Sequence, residues 1–190
     1  YDKDGDAFYD IISAFQKSIR GSDVDASLYY LALLIDSGDL DTIYRRMSVI
    51  AYEDIGLANP NIGPFVHAAI ETAKMLGLPE ARIPLANAVI QLALSVKSNT
   101  AITAIDSALS EIKTNPKFVI PDHLRDSHYY GADKLNRGVG YKYPHSYPSG
   151  YIKQQYLPDN LVGRSFYTPK TNNKNEQNLA QYKKFVDNSK

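Results

Sequence analysis

The stretch that most constrains this chain is IPLANAVIQLALSVKSN, residues 83–99, because its first fourteen residues include no charge. Its clearly polar side chains recur every fourth position: Asn87, Gln91 and Ser95. On a helix they form one thin stripe, with apolar side chains around the rest of the circumference. Such a helix belongs inside a bundle, and it is shorter than the roughly 20 apolar residues that span a bilayer. We expect a central core helix with Leu92 and Ile90 buried and the polar stripe fixing its register against a neighbour.

Apolar residues at helical spacing predict five more helices in the first 115 residues. They are expected at about Ala7–Ile19, from a Ser22 cap to Ser37, from Asp39 to a stop at Gly56, from the Asn59-Pro60 start signal to Leu76, and at about Asn99–Thr114. The short connections between them predict antiparallel packing. No alternating strand pattern competes, so the expected fold class is all-α, a helical bundle.

The composition changes after residue 115, where nine of the fifteen Tyr and six of the ten Pro lie. A long segment without periodicity is typically functional or disordered, and the Tyr content favours order because aromatic side chains bury large areas. The predicted domains are a bundle at 1–115, an ordered irregular arm packed on it at 116–170, and a polar linker with a possible terminal helix at 171–190. Within these, short helices are expected near Ala132–Asn136 and Glu176–Asp187.

The charge distribution is uneven although the net charge is zero. The first 40 residues contain eight Asp and three basic residues, whereas residues 116–190 contain twelve basic and six acidic residues. This asymmetry suggests an anionic partner for the arm. The absence of Cys excludes disulfides and thiolate metal sites. With no secretory or membrane-spanning segment, we expect a cytoplasmic protein and no membrane partner, and the start at Tyr1 without Met suggests a fragment of a longer protein.

Motifs that would indicate catalysis are missing. There is no Walker-type phosphate loop and no Gly-rich dinucleotide turn. His123 and His128, beside two Asp, are too few for a metal site to be favoured. Glu53 and Asp54 are adjacent and are predicted to point to different helix faces, so they are not expected to act as a carboxylate pair. We predict no catalytic residue and no metal ligand.

The basic, Tyr-rich arm is the best functional candidate from the residues alone, because Lys and Arg neutralise phosphates and Tyr stacks on unpaired bases. The DNA-binding candidates are Lys142, Tyr143, Tyr147, Tyr151, Lys153 and Arg164. The alternative is that these Tyr anchor the arm on the bundle and leave the basic side chains in solvent.

Several stretches together resemble a known family, the replication-associated recombination AAA+ ATPases, called RarA or MgsA in bacteria and related to the eukaryotic Werner-helicase-interacting protein. The similar stretches are YDIISAFQKSIRGS at 9–22, DASLYYLALL at 25–34, AYEDIGLA at 51–58, ANAVIQLALSVKSN at 86–99, PDHLR at 121–125, GYKYPH at 140–145 and YLP at 156–158. They follow the family's order and cover most of the chain.

The resemblance implies the C-terminal region of a clamp-loader-like ATPase, with a helical fold similar to the clamp-loader collar. It implies a non-catalytic oligomerisation role in a homotetramer that acts in replication-fork maintenance, recombination and repair. Any DNA-stimulated ATPase activity, with ATP and Mg as cofactors, would belong to the absent ATPase domain, so no cofactor is expected here. Single-strand-binding protein and DNA would be partners of the full-length protein, which would be nucleoid-associated in a bacterium.

The second helix supplies a reason for self-association in this chain. Its stripe of Leu28, Leu31 and Ile35 is expected to face the bundle, which leaves a second apolar face of Tyr29, Tyr30 and Leu33. These three are the interface candidates, because Tyr suits interfaces and an exposed apolar patch needs a partner. The alternative is that the arm covers this face within one chain.

Overall fold

The computed structural model of the protein describes residues 3–128 and 137–189. Within those ranges the chain forms α-helices and short helical turns without any β-strand, which confirms the all-α prediction. The first five helices are α1 (Lys3–Arg20), α2 (Val24–Ser37), α3 (Leu40–Ile50), α4 (Ile62–Leu76) and α5 (Arg82–Ala93). Among these, α1 packs on α2, α2 on α5 and α4 on α5.

Local hydrogen bonds fix the start and end of α2. The Asp23 carboxylate accepts from the Ala26 N–H at 2.9 Å, so Asp23 is the N-cap instead of the predicted Ser22. Ser22 has a φ of 62° and lies outside the helix. Gly38 ends the helix at a φ of 84°, where its N–H donates to the Ile35 carbonyl. Glycine reaches this left-handed conformation without steric cost, which explains the stop at this residue.

The chain beyond α3 departs from a regular helix. It continues as a π-helical turn (Ala51–Ile55) and a 3₁₀ turn (Gly56–Ala58), so helical backbone extends past the predicted stop at Gly56. A Cβ at Gly56 would lie 3.0 Å from the Ser98 carbonyl oxygen, and its φ is 47°. Glycine at this position therefore permits both the turn and a close approach of the segment after α5.

Helix α5 is buried on one side only, which corrects the prediction of a helix enclosed on nearly all sides. Leu92 is fully buried as predicted, but Ile90 is 40% exposed, so its assignment to the core was wrong. The polar stripe faces outward, and Asn87 Nδ2 donates to the Ile83 carbonyl of its own helix at 2.9 Å. Overall apolar composition predicted burial on nearly all sides, but in the described residues α5 packs on α1, α2 and α4 and leaves Ile83, Asn87, Ile90 and Gln91 exposed.

The chain divides into two compact units. The first unit is Tyr1–Thr103 with Pro169–Asn178, and the second is Ala104–Thr168 with Leu179–Lys190. The first unit contains the hydrophobic core, in which the largest fully buried side chains include Phe15, Ile19, Leu34, Met47 and Leu85. These residues come from α1, α2, α3 and α5, so one core holds those helices together.

The second unit is built from irregular chain and parts of two helices. Helix α6 (Thr100–Thr114) begins in the first unit, and helix α7 (Lys174–Asn188) confirms the predicted terminal helix. Between them lie 3₁₀ turns at Asp122–Leu124, Pro144–Ser146, Pro148–Gly150 and Asp159–Leu161. The short helix predicted at 132–136 falls outside the described residues. No helix in the described ranges is long and apolar enough to cross a membrane.

Candidate self-association surface and nucleic-acid interface

A buried carboxylate, Glu176, organises the polar contacts of the first unit. It accepts from the Thr100 hydroxyl at 2.8 Å, the Asn173 amide at 3.0 Å, the Lys170 N–H at 3.2 Å, and the Ser98 hydroxyl. Its own N–H donates to Asn173 Oδ1 at 2.7 Å, which caps α7. We call Ser98, Thr100, Asn173 and Glu176 the polar junction; all four are buried.

The polar junction stabilises the ionised form of Glu176. Burial by itself raises the pKa of this carboxyl, but the hydrogen bonds from Ser98, Asn173, Thr100 and Lys170 outweigh burial and lower the pKa to about 2. The junction therefore holds the segment around Asn173 against the start of α6 by charge-assisted hydrogen bonds. Sequence reasoning missed it, although Asn173 followed three residues later by Glu176 is a capping-box-like signal.

A second polar cluster lies on the π-helical turn. Gln16 Nε2 donates to Glu53 Oε2 at 2.8 Å and to Asp54 Oδ2 at 3.4 Å, and Arg20 Nε donates to Asp54 Oδ1 at 2.7 Å. The prediction that these adjacent carboxylates diverge was therefore wrong, because the π turn and the long Gln16 side chain let both reach one amide. Hydrogen bonding to Asp54 raises the Arg20 pKa. These contacts join α1 to the turn after α3.

Helix α6 exposes the apolar stripe that its sequence would assign to a core. Ile105, Leu109 and Ile112 are 57%, 50% and 61% exposed. The chain that follows α6 also exposes apolar side chains, since Phe118 and Val119 are 72% and 77% exposed and Ile120 is 49% exposed. We call these six residues the apolar strip. Isolated exposed apolar residues are common, but a run of large ones indicates an interaction surface.

The interface candidates on α2 differ in exposure. Tyr29 is 62% exposed, whereas Tyr30 and Leu33 are half-buried. The Tyr29 and Tyr30 rings contact edge to face with centroids 5.5 Å apart, and Tyr30 packs on the core. An open groove of about 450 Å³ lies between α2 and α5. It is lined by Leu28, Leu31, Ala32, Ile35, Arg82, Ile83, Ala86, Asn87 and Ile90.

The arm brings part of the predicted DNA-binding set together. Gln154 Nε2 donates to the Lys142 carbonyl at 2.7 Å and to the Tyr156 hydroxyl at 2.8 Å, while its Oε1 accepts from the Lys142 N–H at 3.2 Å. This one side chain therefore joins the backbone at Lys142 to Tyr156, and Lys153 directly precedes Gln154 in the chain. Lys142, Lys153 and Tyr143 are all exposed. Sequence reasoning missed both Gln154 and Tyr156.

The other three candidates make contacts within the second unit. Tyr151 donates its hydroxyl to the Val186 carbonyl at 3.1 Å and packs edge to face on Phe185. Tyr147 is half-buried, and Arg164 Nη2 lies 3.7 Å from Glu111 Oε1. Their predicted role in DNA binding stays a prediction. The contacts of Tyr151 are with α7 inside the second unit, so they do not test the alternative that the Tyr anchor the arm on the bundle.

The histidines of the arm are engaged separately. His123 Nε2 hydrogen-bonds the Gln155 carbonyl at 2.7 Å, and His128 Nδ1 lies 2.7 Å from Asp126 Oδ1. Hydrogen bonds from His128 lower the pKa of Asp126. Among residues 3–128 and 137–189, no three His, Cys, Asp or Glu side chains gather where they would hold a metal ion.

The similarity to known proteins covers both units. Residues 21–186 match a family model described as MgsA AAA+ ATPase C terminal. The chain belongs to this family. It is 60% identical over 181 residues to replication-associated recombination protein A of Bacillus subtilis, covering 95% of this chain and 43% of that protein. The corresponding protein of Escherichia coli is 36% identical over 172 residues, covering 89% of this chain and 38% of that protein.

A eukaryotic relative, ATPase WRNIP1 of Dictyostelium discoideum, is 33% identical over 170 residues, covering 88% of this chain and 19% of that protein. The chain thus spans less than half the length of these curated relatives. The resemblance found in the sequence is confirmed, and the described residues of this C-terminal region have an all-α fold.

Proposed function

We propose that this domain is the non-catalytic oligomerisation domain of a AAA+ ATPase that acts in replication-fork maintenance and recombination, and that it self-associates as a collar-like homotetramer. The observation that supports this most is the apolar strip. Burying one Val, Ile, Leu or Phe side chain contributes about 1.5–3 kcal/mol, so burial of these six exposed side chains against another copy would favour association strongly.

The ordering of the second unit supports the same proposal. None of its described residues is buried, although fourteen large apolar side chains in it are exposed. Fixing the backbone of each residue costs roughly 1–2 kcal/mol of conformational entropy, and burial against another chain would offset that cost. The wider role in replication and recombination follows from the names of the relatives.

Light scattering over a concentration series tests the proposal. The wild-type chain is expected to give a tetramer mass at high micromolar concentration, and Leu109→Glu is expected to lower that mass because it places a charge on the apolar strip. Tyr9→Glu is the matched control, since Tyr9 is 73% exposed in the first unit. A strictly monomeric wild-type chain would contradict the proposal.

The arrangement around Gln154 favours a second candidate function, weak DNA binding by the arm. Two exposed lysines and two exposed tyrosines, Tyr143 and Tyr156, lie in a unit with eleven basic and seven acidic residues. Lysines neutralise phosphates and exposed Tyr rings stack on bases. DNA and single-strand-binding protein remain proposed partners of a longer chain.

A salt-dependent titration with single-stranded DNA tests the second candidate. The Lys153→Ala, Arg164→Ala double variant is expected to weaken binding and to lower the salt slope by about one unit for each lost phosphate contact. Lys74→Ala, in the first unit, is the control and is expected to bind as the wild type does. An unchanged affinity and slope in the double variant would exclude these residues from the interface.

A further inference from the structure

The groove between α2 and α5 and the exposed face of α6 present apolar residues at the same spacing. Ile83 and Ile90 lie on the groove side of α5, and Ile105, Leu109 and Ile112 lie on α6. Ile83 and Ile90 are seven positions apart, and so are Ile105 and Ile112; on a helix this separation is about 10 Å. Anchors at i, i+4 and i+7 are the pattern by which an apolar helix face fills a hydrophobic groove.

Both surfaces are open and apolar. Ile83 is 54% exposed and Ile90 is 40% exposed, while Leu28, Ile35 and Ala86 form half-buried walls. The groove has a volume of about 450 Å³, which is larger than a few side chains of Leu or Ile size require. Among the described residues that line the groove, Arg82 alone is charged, so a largely apolar occupant is favoured.

The charges beside the two surfaces are complementary. Arg82 lies at the groove rim, and the exposed Asp106 follows the first α6 anchor directly. The first unit as a whole contains fourteen acidic and ten basic residues, whereas the second contains eleven basic and seven acidic residues. Contact between the first unit of one copy and the second unit of another would therefore be attractive at long range.

We infer that the occupant of the α2–α5 groove is helix α6 of a second copy of this chain, with Ile105, Leu109 and Ile112 as anchors and Asp106 facing Arg82. This inference rests on the proposed self-association and specifies its geometry. The contact is heterologous, because groove and helix are different surfaces. Each copy then offers one groove and one helix, and repetition of the contact closes a ring or extends as a fibre.

A mixing experiment between two variants tests this geometry. Ile83→Glu blocks the groove and Leu109→Glu blocks the helix, while Met75→Glu is the control because Met75 is 78% exposed outside the groove. Each blocked variant alone is expected to be monomeric by light scattering. An equimolar mixture is expected to form a 1:1 dimer, since one intact groove meets one intact α6. Circular dichroism checks that each variant is folded.

The outcomes separate the two proposals. A wild-type chain that is monomeric at high micromolar concentration contradicts self-association itself. A wild-type oligomer that persists in Ile83→Glu, or a mixture of the two variants that remains monomeric, overturns the groove contact and leaves self-association standing. The charge pair adds a second measurement: Arg82→Asp and Asp106→Arg are each expected to weaken association about tenfold, and their combination to restore most of it.

Discussion

The two units of this chain use apolar residues in opposite ways. Of the residues that the structure describes, twenty-one hydrophobic ones are buried and all lie in the first unit, whereas none in the second unit is buried. The second unit nevertheless has fourteen of the twenty-six exposed large apolar residues, within about two-fifths of the chain. The first unit therefore has the features of an independent folding core, and the second has the features of a surface that meets another molecule.

This contrast also explains where polar groups are buried. Within the described part of the chain, six polar residues are buried; all belong to the first unit, and four of them form the polar junction. Buried polar groups require hydrogen-bond partners. Glu176 accepts hydrogen bonds from Ser98 before α6, from Thr100 at the start of α6, and from Asn173, the residue that caps α7. The junction is thus a specific attachment point for the segment that leads into α7.

The largest expected effect is a difference in unfolding free energy between core variants of the first unit and surface variants of the second. Leu92→Ala removes a fully buried side chain from the first unit and is expected to lower the free energy of unfolding by about 2–5 kcal/mol. Leu109→Ala, at a position that is 50% exposed, is expected to cost less than about 1 kcal/mol when the protein is dilute. Urea denaturation measures both. Equal losses would mean that α6 belongs to the folding core.

The next effect concerns pH and the polar junction. The pKa of Glu176 falls from 4.5 to about 2 on folding, so its ionised form stabilises the fold above pH 4.5 and this contribution disappears as the pH falls toward 2. The size of the loss is about 3 kcal/mol, from a shift of roughly two pKa units or slightly more. Urea denaturation across this pH range measures it.

The matched variants isolate this carboxylate. Glu176→Gln is expected to be less stable than the wild type at neutral pH, with the difference shrinking as the pH falls through the same window. Glu80→Gln, at an exposed position, is expected to follow the wild-type curve. A constant difference between Glu176→Gln and the wild type at every pH would show that the charge on Glu176 contributes nothing.

The sequence predicted the helices well because helical periodicity is local. The bounds of α6 and the existence of α7 were confirmed by the structure. Periodicity does not reveal which apolar face has a partner, and this explains the error at Ile90 and the unexpected exposure of Ile105 on α6. Both positions depend on packing between segments that are distant in sequence.

The polar contacts were harder to predict for the same reason. Glu176 meets residues that lie 76 and 78 positions earlier in the chain, and no local pattern points to such partners. Glu53 and Asp54 were judged from the geometry of a regular α-helix, but a π turn occupies that stretch. In the arm, Gln154 was overlooked because charge and aromaticity selected the candidates, whereas its role depends on amide hydrogen bonds.

The smallest effect tests how the second unit holds itself together without a core. Tyr151→Phe keeps the ring that packs on Phe185 but removes the hydroxyl that donates to the Val186 carbonyl. The loss of one partly buried hydrogen bond is expected to cost about 0.5–1.5 kcal/mol, and hydrogen exchange should quicken chiefly at the end of α7. Tyr143→Phe is the control. Tyr143 is 57% exposed, so this variant is expected to leave the hydrogen exchange of α7 unchanged.

The Tyr151→Phe variant also separates an anchoring role of Tyr151 from a role in DNA binding. Since Phe stacks on bases as Tyr does, an anchoring role for Tyr151 predicts faster exchange with unaltered DNA affinity. Weaker DNA binding with unaltered exchange would instead assign the Tyr151 hydroxyl to the nucleic-acid interface.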